Sequence, residues 1–138
     1  MTTLNPYLSF RGDAREAMEF YQSVLGGELA VSTFEGYDDM GIPEDEKDDV
    51  MHAQLTTPGG LVLMGSDTPS VMPYREPAGF AVSVSGDDEA ELEGYWNGLA
   101  EGGTVTMPFE TPPWGGRFGM LTDRFGIDWM IALNAPSE

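Results

Sequence analysis

The sequence predicts an α+β fold built from two copies of one βαβββ module, each with a single helix over one face of a four-stranded sheet. One observation is that the chain matches itself, at a shift of 74 residues near the start of each copy and 66 near its end. The matched pairs include Gly12 with Gly86, Tyr21 with Tyr95, and Met64 with Met130. A second is that each copy runs in the same order, with an apolar run, a helical stripe and three further apolar runs.

The first module covers about residues 4–67 and opens with a strand at residues 7–10, where aromatic and aliphatic residues favour extended structure. A helix follows, because apolar residues recur at helical spacing from Ala14 to Leu25, and Gly26-Gly27 ends it. Asp13 and Glu16 have the spacing of a capping box at its start. Three strands are predicted after the helix, at residues 28–34, 51–56 and 61–64. Ser66 and Asp67 are interpreted as the turn that ends the last of them.

The second module covers about residues 78–134 and repeats this order. A strand is predicted at residues 80–84, a helix from Ala90 to Leu99 closed by Gly102-Gly103, and strands at 104–109, 117–122 and 127–133. Tight turns at 57–60 and 123–126 join the last two strands of each module. Since one helix covers only one sheet face, two such sheets side by side would enclose a half-open, mixed-sheet cavity within a single domain of residues 1–138.

Composition and charge restrict the classes of function. A hydrophobic fraction of 41% is sufficient for a packed core, and 24 acidic against 6 basic side chains disfavour binding to nucleic acid or anionic membranes. The acidity is interpreted as a solvated surface, with adaptation to high salt as an alternative. The absence of cysteine excludes disulfides and thiolate chemistry. With no signal-peptide pattern and no apolar segment of membrane length, the expected location is the cytoplasm.

Two loops differ between the modules. Residues 35–49 of the first carry eight carboxylates and Lys47, but lack the spacing of a calcium-binding loop, so a solvated loop is predicted. The counterpart in the second module is Thr111-Pro112-Pro113-Trp114-Gly115-Gly116. Two prolines stiffen this loop, and Trp114 is a candidate ligand contact at a cavity mouth.

Several segments together resemble the vicinal oxygen chelate superfamily, which includes glyoxalases, extradiol dioxygenases and bleomycin-resistance proteins. The segments similar to its PhnB-like branch are Asn5-Pro6-Tyr7-Leu8-Ser9-Phe10, Ala17-Met18-Glu19-Phe20-Tyr21, Leu25-Gly26-Gly27, Met51-His52-Ala53, Met64-Gly65-Ser66-Asp67 and Asp123-Arg124-Phe125-Gly126-Ile127-Asp128-Trp129. The resemblance implies a glyoxalase-like fold with a small-molecule cavity. It also implies a homodimer, with modules paired within one chain or across two.

The resemblance also bears on metal binding. Enzymes of this superfamily hold a divalent metal with ligands from the first and last strands of both modules. The matching positions here are Pro6, Phe80, Met64 and Met130. None of these supplies the nitrogen or carboxylate donors that such metals take in proteins. The expected protein therefore has no metal cofactor.

The residues predicted to bind the ligand are mainly apolar. They are Leu8, Phe10, His52, Met64, Phe80, Val82, Phe118, Asp128 and Met130, with Trp114 and Arg117 near the cavity mouth. Asp128 shares a strand face with Met130, whereas Ile127 and Trp129 are predicted to pack under the helix. Arg117 either meets an anionic ligand or pairs with a surface carboxylate. His52, the only histidine, is interpreted as hydrogen-bonded to backbone or a carboxylate, and its sheet face is left open.

Three functions are consistent with these residues. The first is a metal-free protein that binds a small molecule in an apolar cavity. The alternative is a metal-dependent lyase, isomerase or dioxygenase whose metal site is displaced to His52, Gln54 or Asp128. A third is an interaction domain whose cavity is filled by its own side chains. The sequence names no catalytic residue and no ligand, since Ser66 and Asp67 lack the strained turn of a catalytic nucleophile.

Overall fold

The structure is a computed structural model and describes residues 2–36 and 41–134. Part of the acidic insertion, residues 37–40, lies outside the described residues. The first module contains β1 (Tyr7–Phe10), α1 (Ala14–Leu25), β2 (Glu28–Thr33), β3 (Val50–Thr56) and β4 (Val62–Asp67). The second contains β5 (Val82–Gly86), α2 (Glu89–Ala100), β6 (Thr104–Glu110), β7 (Arg117–Thr122) and β8 (Asp128–Leu133). The order βαβββ occurs twice, which confirms the predicted α+β class.

Each module has its own four-stranded mixed sheet. The strand order is β1-β4-β3-β2 in the first and β5-β8-β7-β6 in the second, so the two sheets have the same topology. The first strand of each module lies parallel to the last, and the remaining pairs are antiparallel. Contacts divide the chain into two units, Met1–Glu76 and Pro77–Glu138, each containing one module.

The core of each module lies between its helix and its sheet. Ala14, Ala17, Met18 and Tyr21 of α1 are fully buried, as the helical stripe predicts. In the second module Leu99 of α2 is also fully buried, and the Trp96 ring stacks on Phe109 with 5.4 Å between ring centroids. Neither α-helix is long and apolar enough to cross a membrane.

The start of α1 is not held by the predicted capping box. Asp13 makes no side-chain capping hydrogen bond. Instead Asp67 Oδ1 accepts hydrogen bonds from the backbone N–H groups of Gly12 at 2.7 Å and Ala14 at 2.9 Å, and Asp67 Oδ2 accepts one from Val50 at 2.9 Å. Asp67 reaches this position because β4 continues to Asp67 alongside β1, with Phe10 as its register partner. The interpretation of Asp67 as part of a turn after the strand is therefore wrong.

The helix ends of the two modules pass close to the sheet at equivalent glycines. A Cβ atom at Gly27 would overlap the Thr56 carbonyl oxygen, and one at Gly103 would overlap the Thr122 carbonyl oxygen. Each glycine lets the chain leave its helix and enter the next strand directly against the backbone of a neighbouring strand. This close approach follows from tertiary packing, and it explains why the second glycine after each helix is needed.

The acidic insertion is tied to the segment that follows β4. A one-turn 3-10 helix at Glu44–Glu46 places the Glu46 carboxylate where it accepts hydrogen bonds from Ser70 N at 2.8 Å and Ser70 Oγ at 2.5 Å. These two bonds lower the pKa of Glu46. The Arg11 guanidinium donates to the carbonyl oxygens of Pro69 and Met72. The described part of the insertion thus includes an ordered contact.

Candidate functional site

Each sheet has a helix face, which packs against the helix of its module, and a helix-free face on the opposite side. In the first module Gly65 marks the helix face, because a Cβ there would lie 3.2 Å from Met18 Sδ of α1. In the second, Gly119 does so, because its Cβ would lie 2.8 Å from the Trp96 ring of α2. Since side chains alternate along a strand, Met64 and Ser66 lie on the first helix-free face, and Phe118 and Met120 lie on the second.

The helix-free face of the first module carries a polar cluster with a single imidazole. Ala53 is fully buried on the helix face, which places its neighbours His52 and Gln54 on the opposite side. Tyr7 Oη lies 3.4 Å from His52 Nδ1, and their ring centroids are 5.7 Å apart. Met64 is the register partner of both Tyr7 and Gln54, so it lies within this cluster.

The structure assigns His52 the face that sequence reasoning left open. Its side-chain partner is the Tyr7 hydroxyl, so the interpretation of a backbone or carboxylate partner is wrong. Tyr7 is 49% exposed and was missed as a site residue. The alternation of side chains along β1 could have identified Tyr7, because burial of Leu8 on one face places Tyr7 on the opposite face.

Three predicted ligand-binding residues lie in the core instead. Leu8, Phe10 and Val82 are 1%, 2% and 7% exposed, respectively, and all three lie on helix faces. Phe10 is next to Met18 of α1 at the position of Gly65, and Val82 is the register partner of the buried Trp129. The most apolar residues of β1 and β5 lie on the face that packs against the helix, because burial of apolar side chains stabilises the folded state.

The helix-free face of the second module is apolar at its centre. Met120 and Met130 are register partners on β7 and β8, and Phe118 lies two residues before Met120. Asp128 lies on the same face as Met130, and Thr122 Oγ1 donates a 2.7 Å hydrogen bond to Asp128 Oδ1. The predicted placement of Asp128 beside Met130 is thus confirmed.

The prediction that Ile127 and Trp129 are buried on the side opposite to Asp128 and Met130 is also confirmed. Ile127 is fully buried and Trp129 is 1% exposed. The Trp129 indole N–H donates a 2.8 Å hydrogen bond to Asp123 Oδ2 in the turn between β7 and β8. Asp123 Oδ1 also accepts from the backbone N–H groups of Phe125 and Ile127, so this buried carboxylate has a structural role.

Phe80 and Trp114 lie outside the strands. Phe80 precedes β5 and is 48% exposed, and Trp114 is 77% exposed in the connection between β6 and β7. Exposure of two large aromatic side chains is compatible with ligand contact, but neither has a contact in the described structure that fixes such a role. Ligand contact by Phe80 and Trp114 therefore stays a prediction.

Arg117 lies on the helix side of its sheet. Its Nη1 atom is 3.1 Å from Glu89 Oε2 and 3.7 Å from Glu93 Oε2, both on α2. Its Nη2 atom donates to the Phe109 carbonyl oxygen at 3.0 Å, and the guanidinium lies 4.1 Å from the Phe109 ring centroid. Of the two roles considered for Arg117, pairing with carboxylates is therefore the observed one, and its placement at a cavity mouth is not supported.

The Arg117→Ala variant is expected to lose about 1–2 kcal/mol of unfolding free energy, because it removes a partly exposed ion pair, a hydrogen bond to backbone and a cation–π contact. Chemical denaturation would measure the loss. Arg15→Ala, at an exposed position on α1, is the control and should leave stability unchanged. Equal effects of the two substitutions would contradict the structural role of Arg117.

The residues at the superfamily's metal-ligand positions do not fit a divalent transition metal. Met64 and Met130 carry thioethers, which are soft ligands, and Pro6 and Phe80 carry no donor atom in their side chains. The placement of Pro6 and Phe80 in the first strands is wrong, because β1 begins at Tyr7 and β5 at Val82. The first-strand register partners of Met64 and Met130 are Tyr7 and Ser83, whose hydroxyl groups are not the nitrogen or carboxylate donors of such sites either. Across residues 2–36 and 41–134, no three His, Asp or Glu side chains are grouped as a metal site would require. The donor set thus disagrees with the metal chemistry implied by the fold.

Comparison with known proteins places this geometry in a family. The model of the Glyoxalase/Bleomycin resistance protein/Dioxygenase superfamily matches residues 3–131. Protein PA1353 from Pseudomonas aeruginosa is 41% identical, with a TM-score of 0.82 over 97% of this chain and 98% of that one. A PhnB protein from Bacillus cereus is 25% identical, with a TM-score of 0.75 over 96% and 100%. Protein YjdN from Escherichia coli (strain K12) is 28% identical over 93% of this chain and 92% of that protein.

Proposed function

The chain belongs to the glyoxalase/bleomycin resistance protein/dioxygenase superfamily and is similar to a PhnB protein, and we propose that it binds a small organic molecule without a divalent transition metal. The observation that carries this proposal is the donor set at the superfamily's metal positions, where Pro6, Phe80, Met64 and Met130 stand. A fold with many activities does not by itself define function, so the proposal rests on the side chains at these positions and on the helix-free faces.

The composition of these faces supports ligand binding. Small-molecule sites combine apolar surface with a few polar groups that orient the ligand. The helix-free face of the first module carries the Tyr7–His52 pair and Gln54. The helix-free face of the second carries Phe118, its methionines and Asp128. Methionine adapts its shape to irregular ligands, because its side chain is unbranched and its sulfur polarisable.

The surroundings of the candidate ligands disfavour a displaced metal site. The His52 imidazole contacts the Tyr7 hydroxyl, and the Asp128 carboxylate accepts a hydrogen bond from Thr122. Neither belongs to a group of three His, Asp or Glu side chains within the described residues 2–36 and 41–134. This supports the metal-free proposal over the metal-dependent alternative.

Metal analysis tests the first part of the proposal. Protein purified without chelator is expected to contain no stoichiometric transition metal, and added Zn²⁺, Ni²⁺ or Mn²⁺ is expected to leave its melting temperature unchanged, because a bound metal would stabilise the folded state by linkage. The His52→Ala variant serves as the comparison. Stoichiometric metal, or a metal-dependent rise in melting temperature that His52→Ala abolishes, would contradict the proposal.

Ligand screening tests the second part. Methyl-labelled methionine provides NMR probes on both helix-free faces, at Met64, Met120 and Met130, while the fully buried Met18 reports on changes in the core. In a screen of a fragment library without added metal, some fragments are expected to shift the face methyls and leave that of Met18 in place. A screen in which no fragment shifts any face methyl would contradict the proposal.

The assembly state and cellular location are also proposed. The chain is expected to be a cytoplasmic homodimer, as its resemblance to the superfamily and its composition imply. Light scattering at several protein concentrations would measure the mass in solution. A mass equal to that of one chain at every concentration would overturn the homodimer.

A further inference from the structure

A row of three methionines crosses the helix-free face of the second module. Met107 on β6 is the register partner of Met120 on β7, and Met120 is the partner of Met130 on β8. Directly opposed residues on adjacent strands project from the same face, and neighbouring strands are about 5 Å apart. The row, called here the methionine row, therefore spans roughly 10 Å from β6 to β8.

Met107 belongs to the row because β6 is irregular. The register of β6 against β7 shifts between Val105 and Met107, so Val105 opposes Leu121 while Met107 opposes Met120. Leu121 is buried on the helix face, whereas Met107 is 46% exposed. A bulge of this kind re-aims one side chain, and here it adds a third thioether to the helix-free face.

Phe118 and Asp128 border the methionine row on opposite sides. Phe118 lies two residues before Met120 on β7, and its register partner on β8 is Ala132. Asp128 lies two residues before Met130, and the hydrogen bond from Thr122 holds its carboxylate on this face. An aromatic side chain and a carboxylate thus border the same row from opposite sides.

The charge of this face has one sign. Among the described residues, Asp128 and Glu110, the register partner of Phe118, are its ionisable side chains. The two arginines of the module point elsewhere, since Arg117 pairs with α2 and Arg124 donates to the Glu101 carbonyl oxygen beyond the end of α2. The net charge of −18 adds a field that attracts cations and repels anions.

These features select one class of ligand. Thioether sulfur makes favourable contacts with aromatic rings, and carboxylates pair with organic cations. We propose that the methionine row binds the ring system of a planar aromatic cation, with the cationic group on the side of Asp128. This inference rests on the proposed small-molecule function and names the chemical class of the ligand for that face.

Three matched probes test the class. They are 1-naphthylmethylammonium, its saturated analogue decahydronaphthylmethylammonium, and 1-naphthylacetate, which has the same aromatic ring and the opposite charge. The aromatic cation is expected to bind about tenfold more tightly than either of the others, since each control lacks one of the two attractions. Methyl NMR titration should show its shifts concentrated at Met107, Met120 and Met130, with Met18 and Met72 as reference methyls.

Two variants separate the two attractions. In Met120→Leu/Met130→Leu, apolar volume is kept and sulfur is removed, so the preference for the aromatic over the saturated cation is expected to fall several-fold. In Asp128→Asn, the preference for the cation over 1-naphthylacetate is expected to fall. Asp87→Asn removes the same charge from an exposed position before α2 and should leave that preference close to the wild-type value.

The outcomes distinguish this inference from the function on which it rests. If other fragments shift the methyls of the methionine row but the aromatic cation has no advantage, the ligand class is wrong and small-molecule binding stands. If no fragment shifts any helix-free-face methyl, the proposed function itself fails. If the cations shift Met72 as much as the row, or if Asp87→Asn acts like Asp128→Asn, the binding is diffuse attraction to an acidic surface and the inference is overturned.

Discussion

The Gly27→Ala variant is expected to lose roughly 2–5 kcal/mol of unfolding free energy, a large share of the stability of a domain of this size. Gly27 has a φ of +98°, a conformation that is strained for alanine. Its added Cβ would also overlap the Thr56 carbonyl oxygen and lie 2.7 Å from Thr57 Cα. Both contacts are with backbone atoms at the end of β3 and just after it, so rotation of a side chain cannot relieve them.

Two further variants separate strain from overlap. Gly26→Ala has the strain alone, because φ is +78° and no heavy atom lies within 4 Å of the added Cβ, and a loss of about 1 kcal/mol is expected. Gly103→Ala has the overlap, with the added Cβ 2.9 Å from Asp123 Cα, and a loss of about 3 kcal/mol is expected. Urea denaturation of the three variants would measure these losses. A Gly27→Ala loss no larger than that of Gly26→Ala would contradict the close approach.

The Asp67→Ala variant is expected to lose about 3–5 kcal/mol of unfolding free energy, because it leaves three backbone N–H groups without their acceptor. The side chain of Asp67 is almost completely buried and joins the start of α1, at Gly12 and Ala14, to the first residue of β3, Val50. Its loss would therefore loosen the helix and the central strands of the first module together.

Two controls bracket this effect. Asp67→Asn keeps the shape but replaces one acceptor oxygen with an NH₂ donor, so an intermediate loss of about 1–3 kcal/mol is expected. Asp88→Ala removes the exposed cap of α2, which accepts from Glu91 N at 3.1 Å, and a loss of about 1 kcal/mol is expected. Denaturation midpoints would rank the three. If Asp67→Ala were no more destabilising than Asp88→Ala, the buried carboxylate would not have the role assigned to it.

The fold could be predicted from the sequence because the duplication repeats the local signals of the helices, strands and tight turns. The helical stripe, the glycines after each helix and the tight turns each recur in the second module at the matching position. The boundaries were less accurate. β4 extends to Asp67 because β1 pairs with it, and that pairing joins residues more than fifty positions apart, which no local pattern records.

The site could be predicted only in part from the sequence, because a one-residue error in the register of a strand moves each of its side chains to the opposite face of the sheet. Alternation placed Asp128 and Met130 on one face correctly, since the buried Trp129 between them is a strong marker. In β1 the predicted ligand-binding residues Leu8 and Phe10 lie on the helix face, and Tyr7 on the other face is not among the predicted site residues. Arg117 forms an ion pair with Glu89 of α2, a contact that depends on tertiary packing.

Residue identity and order are sufficient to predict the duplicated α+β fold, the family, and the side chains at the positions that the resemblance assigns to metal ligands. The cap at Asp67, the Tyr7–His52 contact and the third member of the methionine row depend on the folded structure. Each of these depends on strand register, and Met107 joins the row only through a shift in the pairing of β6 with β7. Register is set by contacts between distant segments, so it appears only when the chain is folded.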